Sequence, residues 1–236
     1  MLLVHGSCHG AWCWRDLVPA LAAQGVSAET VDLLGHGATQ TAQTDLSQIT
    51  LQDTAAALRA AVGEKTIVLG HSWGGYPISA AADLGVPMRG LIYLCAYVPK
   101  PGKSMIDMRK DGPRQTLTGK TVKSADGASY RFDTEHAADL LFHDCPAEVA
   151  DYGVPRLCAQ AIRPQDTVLE LGTQWANTPK AYIQCTQDRV IPLEYQAQMV
   201  ADWPENSVHA LHSSHSPFFS QPARLAEKIA QIMEDM

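Results

Sequence analysis

A chain of 236 residues is long enough for one well-buried domain carrying an insertion, and short for two independent domains. Its 46% hydrophobic and 18% charged residues suit an ordinary globular protein, and a net charge of −7 offers no basic footprint for nucleic acid. No run reaches the roughly 18 apolar residues that a membrane span needs.

The opening Met1-Leu2-Leu3-Val4 lacks the charged region and cleavage site of a signal peptide and reads as a buried strand entering a loop. Cys8, Cys13, Cys95, Cys145, Cys158 and Cys185 show no CxxC spacing, which predicts free thiols and a cytoplasmic protein. A helix is expected from Trp14 to Gln24 and a strand from Ser27 to Leu33, closed by Gly35-His36-Gly37. Thr50 and Asp53 have capping-box spacing, and Leu51, Ala55, Leu58 and Val62 then share one helical face up to Gly63. Thr66–Gly70 is a strand, Gly75–Leu84 a helix and Leu91–Cys95 another strand. Ala181–Cys185 and Ser207–Leu211 complete the strands, and a last helix carries Leu225, Ile229 and Ile232 inward. This alternation predicts a mostly parallel central sheet flanked by helices, an α/β fold.

Between Pro99 and Gln174 the rhythm breaks into a polar stretch rich in Pro and Gly, then returns to a helical pattern at 134–141 and 148–162. The expected organisation is therefore a core of residues 1–98 and 175–236 with a helical cap, 99–174, inserted after a central strand.

Gly70-His71-Ser72-Trp73-Gly74 has the G-x-S-x-G pattern, placed after a strand and before a helix. Small residues either side let a sharp turn lift the Ser72 hydroxyl clear of the sheet. A serine hydroxyl needs a base, and the base needs an orienting carboxylate, in chain order Ser, acid, His. Asp188, after the strand ending at Cys185, is the expected acid. His215 is the expected base, preferred over His209 within the strand and His212 at its end, because it sits deepest in the loop before a structure-stopping Pro217. The loop His5-Gly6-Ser7-Cys8 after the first strand should face the nucleophile, so the backbone amides of Ser7 and Trp73 are the expected oxyanion hole. Gly6, Cys8 and Trp12 are the candidate substrate-binding residues, although Trp12 and Trp14 suit packing of the first helix equally well. Trp73 either narrows the acyl side or packs its helix.

These residues resemble the plant methylesterase and hydroxynitrile lyase branch of the α/β-hydrolases. The resemblance runs through His5–Trp14, Gly35-His36-Gly37, the Ser72 elbow, Asp188–Pro192 and the His215 loop, and is weakest over residues 103–128. It implies hydrolysis of small carboxylic esters without a cofactor. The lyases of this branch carry a threonine after the loop histidine and a lysine after the catalytic one; Gly6 and Ser216 stand there, which implies an esterase. Relatives that open epoxides use an aspartate where Ser72 stands. Two further readings stay open: C–C bond cleavage on the same scaffold, and a slow-turnover ligand-binding protein. The expected partner is a small ester, with no nucleic acid or membrane, and a homodimer is left open. His5 and His9 are four apart and lie near Cys8 and Cys13, but that spacing serves zinc only on a helix and this stretch reads as a loop with Gly6 and Gly10, so no metal is expected and His5 is expected to pack structurally. The basic run Lys100, Lys103, Arg109, Lys110 and Arg114 reads as a solvated face in preference to a dock for an acidic substrate.

Overall fold

The computed structural model describes all 236 residues. In chain order the elements are β1 (Leu2–Val4), α1 (Leu17–Ala23), β2 (Glu29–Val31), α2 (Leu51–Leu58), β3 (Ile67–His71), α3 (Gly75–Asp83), β4 (Gly90–Leu94), α4 (Met105–Asp111), β5 (Thr121–Lys123), β6 (Ser129–Phe132), α5 (Thr134–Leu141), α6 (Ala147–Gly153), β7 (Gln160–Ala161), α7 (Thr173–Asn177), β8 (Lys180–Cys185), α8 (Leu193–Met199), β9 (Val208–Leu211), α9 (Pro217–Ser220) and α10 (Pro222–Asp235). Six strands form one sheet in the order β2-β1-β3-β4-β8-β9, and every pair in it is parallel. β3 and β4 are buried along their whole length. That accounts for their unbroken apolar runs, because a parallel sheet is covered on both faces. α1 packs on α10, while α2 packs on α3, which in turn meets α7.

α2 begins where Thr50 accepts from the Asp53 amide at 3.0 Å. The Asp53 carboxylate takes the Thr50 hydroxyl and not its amide, so only half of the expected box forms. The α-helix also ends at Leu58, leaving Val62 beyond a 3₁₀ turn and half-buried. The expected first helix divides into a 3₁₀ turn at Ala11–Trp14 and α1.

The segment after β4 departs most from expectation. It holds α4, α5 and α6, but also a second, antiparallel sheet in the order β5-β6-β7. The helix expected over 148–162 stops at Gly153, and Gln160–Ala161 pairs instead with Ser129–Tyr130. Asp126-Gly127, with Gly127 at φ +71°, turns the β5–β6 hairpin. No helix is long and apolar enough to cross a membrane. All six cysteines are free.

Candidate active site

The strand order reverses between β2 and β3, which lie either side of β1, and such a switch point opens a crevice at the carboxyl ends of the strands. Both relevant loops leave there, since Val4 pairs with Gly70. Ser72 follows β3 at φ +54°, a left-handed conformation uncommon for a residue with a side chain. The flanking glycines make that turn sterically feasible. A Cβ on Gly70 would lie 2.6 Å from the Gly74 carbonyl oxygen, and one on Gly74 would lie 2.8 Å from that of His5. Gly6 is just as confined: its Cβ would come within 2.8 Å of both the Ser72 Cβ and His71 Nδ1. The position that carries threonine in the lyases therefore abuts the elbow here. The Ser7 amide beside it has no acceptor within the protein.

His215 and Asp188 meet. His215 Nδ1 lies 2.7 Å from Asp188 Oδ2, with both side chains buried. Asp188 Oδ1 accepts from the amides of Val190 and Ile191 at 2.7 and 2.9 Å, and Gln196 Nε2 donates to Oδ2 at 3.2 Å. These contacts orient the carboxylate, and its Oδ2 facing His215 Nδ1 favours the tautomer with the proton on Nδ1. The rival histidines are elsewhere. His209 lies in β9, and His212 faces Thr186 at 3.2 Å on the surface. Pro217 does not stop structure after His215: it opens α9 at the first helical position, where its missing N–H costs nothing.

Sequence reasoning missed the groups that hold these residues. The His215 carbonyl accepts from His71 Nε2 at 2.8 Å and from the Cys95 thiol at 3.6 Å, which ties the histidine loop to β3 and to the end of β4. His71 is the variable position of the serine motif, so its place was visible and its partner was not. The Ser7 hydroxyl accepts from Gln165 Nε2 at 2.7 Å, and Tyr130 donates to Gln165 Oε1 at 3.2 Å.

Ser7, Ser72 and His215 open into one narrow pocket. Its apolar walls include Tyr97, Met105, Leu117, Phe132, Leu141 and Val190, with Arg109 among them as the one permanent charge. Gly6, Cys8 and Trp12 are not among the walls. The Cys8 thiol is buried against the Tyr130 carbonyl, and burial pushes its pKa up. Trp12 stacks between His9 and Phe219. The Trp73 side chain stacks on Tyr76 of α3, which leaves packing as its role.

Four buried histidines surround the site. Desolvation lowers His5 and His71 well below the usual range, brings His9 down to about 4, and lowers His36. His5 is structural, as expected: Nδ1 meets the Gly6 carbonyl at 2.8 Å while Nε2 accepts from the Leu33 amide at 3.1 Å.

A parallel sheet with a strained serine turn after its third strand, and a buried acid–histidine pair on later loops, defines the α/β-hydrolase class. The chain belongs to the alpha/beta hydrolase family, whose profile matches residues 1–228. Among curated proteins it is 28% identical to Methylesterase 7 of Arabidopsis thaliana, over 99% of this chain and 95% of that one. It is 29% identical to the pyrethroid hydrolase of Sphingobium wenxiniae, over 99% and 87%. Among solved structures, a pyrethroid hydrolase from Sphingobium faniae JZ-2 superposes with a TM-score of 0.85 at 28% identity, covering 99% of this chain and 96% of that one.

Proposed function

We propose that this chain cleaves small carboxylic esters through an acyl-enzyme on Ser72, with His215 as base, Asp188 as its orienting acid, and the amides of Ser7 and Trp73 as the oxyanion hole. The chain is a hydrolase acting on ester bonds, in keeping with the methylesterases and pyrethroid hydrolases it is similar to. The observation that carries the mechanism is the 2.7 Å contact between His215 Nδ1 and Asp188 Oδ2 in a loop that shares a pocket with Ser72. With the proton on Nδ1, the Nε2 lone pair is free to take the serine proton.

Ser72 Oγ attacks the ester carbonyl as His215 Nε2 accepts its proton. The oxyanion is met by two preorganised amides, each worth roughly 2.7–4 kcal/mol of barrier. His215 returns the proton to the departing alkoxide, giving the alcohol and the acyl-serine. Water, deprotonated by His215, then attacks the acyl carbon and releases the acid with Ser72 restored. The cyanohydrin-cleaving form of the C–C alternative lacks support at Gly6, where the hydroxyl of the lyases is missing and a side chain has no room.

Residues 99–174 act as the cap in this reading. They supply Met105, Leu117, Phe132 and Leu141 to the pocket and tie into each reactive loop. Gln165 reaches Ser7, Thr116 Oγ1 donates to the Val190 carbonyl at 2.6 Å, and Asp144 accepts from the Ser214 amide at 2.7 Å.

The test is hydrolysis of p-nitrophenyl esters from acetate to octanoate by the native protein and Ser72→Ala, with mass spectrometry after an organophosphate. The reading expects one adduct on Ser72 and a loss of at least about 10³-fold in kcat for the variant. Absence of an adduct, or equal rates in both proteins, overturns it.

A further inference from the structure

The five cations of the 100–114 segment do not share one environment. Lys103 pairs with Asp111 at 3.0 Å, Lys110 lies 4.0 Å from Asp107, and Arg114 pairs with Glu194 at 2.7 Å. Lys100 lies over the Tyr195 ring at 5.9 Å. Arg109 has neither an acidic partner nor a hydrogen-bond acceptor for its guanidinium, and of the five it alone lines the pocket of Ser72. α4 directs it there: Met105 and Met108 are buried on the inner face of that helix, and Arg109 follows half-buried in the last turn.

Its charge is felt inside the pocket. Burial raises the pKa of the Tyr97 and Tyr130 hydroxyls, the latter up to about 12, and the nearby Arg109 cation works against that rise at both. Arg109 also borders two polar hollows outside, whose other charged walls are Lys110, Lys123 and a single acid, Asp166. In a chain of net charge −7, cations thus outnumber acids around Arg109. A guanidinium half removed from water without a counter-ion is costly, and its planar fork suits a carboxylate.

We propose that Arg109 binds a free carboxylate on the substrate, so that the preferred substrates are esters bearing a second, ionised carboxyl group. This rests on the serine-esterase reading above. The salt-bridged carboxylate would sit among the aromatic walls, anchoring the ester over Ser72, and it is not itself transformed.

The carboxylate can belong to either side of the ester, and both are tested. Monomethyl esters of dicarboxylic acids place it on the acyl side, and acetyl esters of hydroxy acids on the alcohol side. Each is compared with the same ester carrying a carboxamide in place of the carboxylate, using the native protein, Arg109→Gln and Arg109→Lys. The native protein should favour at least one anionic ester over its neutral counterpart by about ten- to a hundredfold in kcat/KM. Arg109→Gln should abolish that ratio, mainly through a raised KM for the anionic ester, with a smaller loss on the neutral one. Arg109→Lys should restore part of the preference, and raised ionic strength should reduce it. A native ratio near one, or a loss in Arg109→Gln that is equal for both esters, overturns this proposal and leaves the esterase reading intact. No turnover of any ester and no adduct on Ser72 overturns both.

Discussion

Asp188 shows how little freedom the reactive residues have. Its Oδ1 is claimed by two backbone N–H groups, and only an oxygen can accept both. In Asp188→Asn the amide oxygen must therefore stay on that side, which turns the NH₂ toward His215 Nδ1 and the Gln196 donor. The imidazole is then forced into the tautomer with its proton on Nε2, where it cannot take one from Ser72. Turnover should fall by about 10⁴-fold with little change in fold, readable from kcat and circular dichroism. Gly6→Ala tests the close approach of the two loops. Its methyl would meet Ser72 Cβ and His71 Nδ1 at 2.8 Å, so the elbow or the Ser7 amide must shift by a few tenths of an ångström. A drop in kcat of more than about tenfold is expected, in line with the weight of one oxyanion donor. Retention of full kcat would show that the amide geometry tolerates the shift.

The loops of β1, β8 and β9 are each held by the segment between β4 and α7 as well as by the sheet. Gln165 is the most informative of these ties, because it serves Ser7 and Tyr130 at once and is fully buried. Gln165→Ala leaves the Tyr130 hydroxyl without its acceptor, which should cost about 1–3 kcal/mol in urea unfolding. Releasing Ser7 should also lower kcat by about tenfold with KM nearly unchanged. A variant that lost stability but kept kcat would confine Gln165 to a structural part. The second sheet explains why this residue is placed so well: β7 hydrogen-bonds to β6, and the turn after it carries Gln165 back over β1.

Across the molecule, the buried histidines couple folding to pH. His5, His9, His36 and His71 all bind a proton less readily folded than unfolded, chiefly through desolvation. Their contribution is complete above the unfolded value of about 6.5 and is lost as pH falls below it, for His9 down to about 4. Each proton withheld lowers stability by at most about 1.4 kcal/mol per pH unit below the unfolded value, and the four act in the same direction. Against a usual total of about 5–15 kcal/mol, the melting temperature should fall steeply between pH 6.5 and 5. Calorimetry across pH 5 to 8 reads this directly, and a flat profile down to pH 5 would refute it.

The elements of the central sheet and the turn that bears Ser72 were legible in the sequence because their causes are local. An unbroken apolar run marks a strand buried on both faces, and the flanking glycines of Ser72 mark a turn that sterics allow nowhere else. Asp188 and His215 were legible through chain order, and their meeting at 2.7 Å is a contact across 27 residues that no window of sequence contains. The Asp126-Gly127 turn could have revealed the β5–β6 hairpin, yet β7 is a strand only because β6 lies beside it. Likewise nothing local distinguishes Arg109 from Lys110, or Gln165 from any polar loop residue. Their roles arise from what the folded chain places opposite them: a reactive pocket without an anion for one, a serine hydroxyl for the other. Local sterics and periodicity thus determined the framework and the turn that bears Ser72, while the partners of each reactive group were decided only by tertiary packing.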